Sequence, residues 1–149
     1  MKTAFTLIEL IFAIVIMGIL AVVAIPRLNT TRDDAQASTA AANVAVAVMD
    51  ITSYYTAKGS FTDVKSMSNI VVDDNGNVKV KNTDCFRITV SNATSSEVDP
   101  TKGISVGSPI LKVVAISSSD NACLSAQILT RSILDSSPIN IGQGNVKFN

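Results

Sequence analysis

Apolar residues fill positions 5–25 almost without interruption, and Glu9 is the one ionisable side chain among them. At about 1.5 Å per helical residue the run covers roughly 31 Å, close to the thickness of a bilayer core. A polar boundary follows at Pro26-Arg27-Leu28. Pro26 removes a backbone donor, so a kink or loosening of the helix is expected there. Arg27 then falls at the interface, where a long cationic side chain reaches water. Beyond it the helix resumes. Leu28, Ala35, Ala42 and Met49 recur at a spacing of seven, and positions 44–49 are all apolar. That stretch is expected to pack both on a sheet and on neighbouring chains. Gly59 is a natural C-terminal cap, so the helix should end within 55–58. Its length would be about 50 residues, on the order of 75 Å. This is too long for a domain of this size, so the helix is expected to project and to need partners.

The remaining pattern, 59–149, predicts a small α+β head with an antiparallel sheet. Alternation over 70–80 around Asn75-Gly76 predicts a hairpin with an Asn-Gly turn. Positions 85–90 and 110–117 read as strands, and the polar, Gly/Ser/Thr-rich 91–109 between them as a surface loop. Ala122, Ala126, Leu129 and Ile133 share one helical face, with Asp120 as N-cap and Pro138 as a stop. Positions 139–141 and 146–148 suggest a last hairpin. Tyr54-Tyr55, near the end of the long helix, is expected to pack into the head core.

Composition removes several kinds of chemistry. The 149 residues hold 12 Lys+Arg against 12 Asp+Glu, so no basic nucleic-acid surface is indicated. Trp is absent and aromatics are 5%, which disfavours a stacking platform for single strands. With no His, Ser-His-Asp and Cys-His catalysis and His-ligated metals are excluded within this chain. No nucleophile–base pair is identifiable, so no enzyme is expected. Asp73-Asp74-Asn75-Gly76-Asn77 clusters oxygen ligands, but it lacks the spacing to a terminal Glu that a calcium loop needs, and a tight turn explains it. No cofactor or metal is expected.

Glu9 then stands out. An ionisable group inside a membrane-length run is expensive, and is a functional-site hypothesis by default. The surrounding string, Lys2-Thr3-Ala4-Phe5-Thr6-Leu7-Ile8-Glu9-Leu10, resembles the leader and first helix of type IV pilins and type II secretion pseudopilins. Gly18 and Pro26 also fit that family. The resemblance is specific over about the first 30 residues and architectural beyond 35. It departs at Ala4, where the family usually has Gly; alanine is small enough for a tight peptidase subsite.

The resemblance implies a pilin-like α+β fold, with a long N-terminal helix packed on a small antiparallel sheet. It implies a leader, 1–4, removed between Ala4 and Phe5 by a prepilin peptidase that N-methylates Phe5. Residues 5–25 become the transmembrane and assembly helix, 26–58 its continuation, and 59–149 the globular head. Gly18 and Pro26 are the implied helix breaks. Glu9 would pair with the Phe5 amine of a neighbour and set the register of a filament. The implied partners are other pilins, an assembly ATPase acting through a platform protein, and the inner membrane, with the head periplasmic. In an exported head an even number of cysteines reads as one disulfide, Cys85 to Cys123, and many related pilins carry one there. Some secretion pseudopilins hold calcium in a C-terminal loop, but 138–149 contains no Asp or Glu.

The competing readings fare worse. A secretory signal cut after Val22-Val23-Ala24 would have too long an apolar core, with Glu9 inside it. A plain membrane anchor on a monomeric periplasmic binding module leaves unexplained why the carboxylate lies four residues after a potential new amine. A competence (DNA-uptake) pilin stays open within the family.

Overall fold

The computed structural model describes residues 6–142. One helix dominates it. Helix α1, Leu7–Lys58, is 52 residues long. The chain divides into two compact units, Met1–Ala35 and Gln36–Asn149, so α1 contributes to both.

Helix α1 runs on through Gly18 and Pro26, the two positions expected as kinks or loosenings. Proline's fixed φ of about −65° is itself helical and removes one donor from a long ladder, while a single Gly weakens a helix by only about 1 kcal/mol. The C-terminus is where the sequence placed it. Gly59 takes φ +70° and donates its N–H to Tyr55 O at 2.7 Å. A left-handed residue there closes the last turn, and glycine enters that conformation without steric penalty.

In the second unit, α1 buries Ala37, Ala40, Val44, Ala47, Val48 and Ile51. These recur at three- and four-residue steps, the spacing of one helical face. They share a core with a four-stranded antiparallel sheet in the order β1-β2-β3-β4. Its strands are β1 Asn77–Val80, β2 Thr83–Asn92, β3 Pro109–Ala115 and β4 Ile139–Asn140. Ile88 pairs with Val113 and Val90 with Leu111, so alternation turns these four side chains to one face, and they lie in or against that core. Ile110 points to the opposite face and is buried separately with Ala93 and Ile104. The link between β2 and β3, expected as a loop, therefore folds back on the sheet. It contains two 3-10 turns, Ser95–Glu97 and Pro100–Lys102, and Lys112 of β3 forms an ion pair with Glu97.

The hairpin expected over 70–80 is corrected. Residues 70–72 form no strand, and β1 turns through Lys81-Asn82 to pair with β2 instead. Asp73 explains why: its Oδ1 accepts the N–H groups of Asn75 at 2.9 Å and Asn77 at 2.8 Å. The side chain organises a local turn in place of a ladder. Gly76 (φ +76°) then lies so close to β2 that an added Cβ would stand 2.2 Å from Ile88 O.

A short helix, α2 Val64–Met67, follows α1. Near the C-terminus the single expected helix is two, α3 Asn121–Leu129 and α4 Arg131–Ser136. Between them Thr130 is buried and donates its hydroxyl to Ala126 O at 2.9 Å. Ala122, Ala126 and Ile133 are buried as expected, but Leu129, the last residue of α3, is 58% exposed. Positions 146–148 of the expected last hairpin lie outside the described residues.

The architecture is the α+β one expected: a long N-terminal helix and a small four-stranded antiparallel sheet.

Candidate assembly site at the N-terminus

Helix α1 opens with Thr6-Leu7-Ile8-Glu9. The first turn of any helix leaves backbone N–H groups without intrahelical partners. Here Thr6 N donates to Glu9 Oε2 at 3.0 Å, Thr6 Oγ1 donates to the same oxygen at 2.6 Å, and Glu9 N donates to Thr6 Oγ1 at 3.4 Å. This reciprocal arrangement is a capping box, in which a Thr and a Glu three residues on satisfy each other's backbone. Sequence reasoning singled out Glu9 and missed Thr6, although the Thr-x-x-Glu spacing was legible. Glu9 is thus held against the end of its own helix, with Thr6 as its partner among the described residues.

Around and beyond Glu9 the helix surface is bare. Leu7, Ile8, Leu10, Ile11, Phe12, Ile14, Val15, Ile16 and Met17 are all exposed, and so are the large apolar residues up to Ile25. The helix is long and apolar enough to cross a membrane, and none of the described residues covers its most apolar stretch. Uncovered apolar surface of this extent calls for lipid or other chains. Ala4 and Phe5, the expected cleavage pair, lie outside the described residues.

The other candidate residues sit in the second unit. Cys85 of β2 and Cys123 of α3 are joined by a disulfide with Cα atoms 5.5 Å apart. Asp120 is the N-cap of α3, and its Oδ1 accepts from Ala122 N at 2.9 Å and Cys123 N at 3.1 Å. The backbone N–H of Cys123 and the neighbouring Lys81 ammonium hold the Asp120 carboxyl below the usual range. Tyr54 and Tyr55 are half-buried against the core, and the Tyr55 ring lies 6.1 Å from that of Phe61.

In the Asp73–Asn77 turn, both carboxylate oxygens of Asp73 are engaged within the turn. Besides the two backbone N–H groups, Asp73 Oδ2 accepts Asn77 Nδ2 at 2.9 Å. Hydrogen bonds led by the Asn77 N–H lower its carboxyl pKa. Among the described residues no three His, Cys, Asp or Glu gather as a metal-holding group.

No curated protein and no solved structure matches the chain. Residues 1–25 match the family model of the prokaryotic N-terminal methylation motif. The bare apolar helix and its Glu9 cap thus belong to a segment that carries the leader motif of type IV pilin-like prepilins.

Proposed function

We propose that this chain is the structural subunit of a pilin-like filament, a type IV pilus or a type II secretion pseudopilus, and not an enzyme. The observation that carries the reading is the methylation motif at residues 1–25, joined to an uncovered apolar helix with one carboxylate near its start. In this reading a prepilin peptidase cuts between Ala4 and Phe5 and methylates the new amine. The subunit waits in the inner membrane with its head in the periplasm. An ATPase acting through a platform protein then extracts it into the fibre, beside other pilins.

Glu9 gives the step its register. A lone carboxylate and a lone ammonium are both disfavoured in an apolar setting. In a staggered bundle, Glu9 of one subunit meets the Phe5 amine of the next, and each offsets the other's charge. Removing one partner of such a pair is costly even where the pair adds little net stability. The pair therefore selects the stagger, while the Leu, Ile and Val surface supplies cohesion.

The processing step is tested by mass spectrometry of N-terminal peptides from native membranes. The expected terminus is N-methylated Phe5. A terminus at Ile25, or an intact Met1, contradicts it. Crosslinking within positions 9–25 in intact membranes separates filament from anchor: a ladder of self-adducts supports assembly, and monomer alone supports a membrane-anchored binding module.

A further inference from the structure

Asn75-Gly76 is the single Asn-Gly pair in the chain. In an unfolded chain such a pair carries its own reaction. The Gly76 nitrogen loses its proton and attacks the Asn75 side-chain carbonyl carbon. The new C–N bond closes a five-membered succinimide, and the side-chain amide takes up a proton and leaves as ammonia. Water then opens the ring at either carbonyl. One opening gives aspartate. The other gives isoaspartate, whose backbone runs through the former side chain and is longer by a carbon. Glycine permits the attack because no side chain crowds its nitrogen.

Asn75 is exposed, so water and base reach it. The fold opposes the attack itself. Gly76 N donates to Asp73 O at 3.0 Å, which engages the attacking atom. Gly76 O accepts Ile88 N at 2.9 Å, which ties the same residue to β2. Asp73 Oδ1 accepts the N–H groups of Asn75 and Asn77, and so fixes the residues on either side of Gly76. A carboxylate at the centre of the turn also disfavours a further negative charge on the Gly76 nitrogen. Attack must therefore wait until the turn lifts from β2. We infer that Asn75-Gly76 is a deamidation site held shut by the Asp73 turn, and that its conversion to isoaspartate permanently opens the β1–β2 seam. The longer backbone displaces Gly76, which sits so close to β2 that an added Cβ would stand 2.2 Å from Ile88 O. With no slack there, the bond from Ile88 N to Gly76 O does not re-form. Asp73 thus shields the head from a chemical change that its own turn cannot absorb.

The full chain in detergent is held at mildly alkaline pH, in native buffer and in urea. Deamidation is read by mass on the peptide containing Asn75, and isoaspartate by its fragmentation. The native rate should be at least about tenfold below the urea rate, because attack waits for local opening. Asp73→Ala removes the acceptor of two N–H groups. It should bring the native rate close to the urea rate, with no change in urea. A native rate within a few-fold of the urea rate in the unaltered chain would overturn the protection, and this arm needs no variant. An unchanged native rate in a folded Asp73→Ala chain would remove the part given to Asp73. In chains converted to isoaspartate, the Ile88 N–H should exchange with deuterium at least about tenfold faster than in intact chains. Equal protection of that amide in the two would show that the turn recloses, and would overturn the opened seam.

Discussion

Thr6 and Glu9 show how a single side chain meets two demands. Within its own chain the Glu9 carboxylate completes the first turn of α1 through Thr6. In the proposed fibre it also answers a neighbour's amine. Three carboxylates of the head follow the same local logic with simpler consequences. Asp73 is lowered chiefly by the Asn77 N–H, Asp99 by the Thr101 hydroxyl and Asp120 by the Cys123 N–H. Each folded pKa lies below its unfolded value, so between the two values the unfolded chain binds more protons. Their stabilisation is complete above the unfolded pKa and disappears as pH falls through the folded one. The melting temperature of the head should therefore hold from neutral pH and fall below about pH 4. Asp120→Ala should lower the neutral plateau and flatten the acid limb. Thermal melts of both chains across this range are the check, and equal acid slopes would count against the cap.

At the scale of elements, α1 is where sequence reading succeeded. Its apolar run, its polar boundary and its end at Gly59 were all legible, because each rests on a local signal. The helix was also expected to resume after Pro26, and it does. The first arm of the 70–80 hairpin was misread. Asn75-Gly76 does mark a turn, but the Asp73 side chain claims the backbone N–H groups that follow it. The split at Thr130 depends on a buried hydroxyl bond to Ala126 O, which composition does not announce. At the candidate site Glu9 was visible as a misplaced charge, and its partner Thr6 sits at a Thr-x-x-Glu spacing that the same reading passed over.

The two faces of α1 in the second unit make a sharp comparison. Ile51 is fully buried, whereas Met49, two residues earlier, is 55% exposed. Ile51→Ala should cost about 2–5 kcal/mol through lost burial and the cavity left behind. Met49→Ala should stay within about 0.5 kcal/mol. Urea titrations of both full-length variants in detergent test this, and similar midpoints for the two would contradict the packing.

Across the whole molecule, charge is matched locally as well as in sum. Lys65 meets Asp74 at 3.0 Å, Lys79 meets Asp84 at 3.6 Å, Lys81 meets Asp120 at 3.4 Å, and Arg131 meets Asp135 at 3.7 Å. Exposed pairs of this kind add little stability. Among the described residues the most extended uncovered surface is apolar. It lies along the 7–25 stretch of α1. The account therefore turns on whether that stretch carries subunits into a fibre in the register set by Glu9. Glu9→Val makes the span more apolar, so membrane insertion does not suffer for want of hydrophobicity. Glu9→Asp keeps the charge and shortens its reach. The decisive measurement is the sheared-fibre fraction against the membrane fraction, for wild type and both variants, each as the only copy of this subunit and with mature length verified. The account predicts normal membrane levels in all three, fibres reduced with Asp and nearly absent with Val. Wild-type fibre yield from Glu9→Val would contradict it.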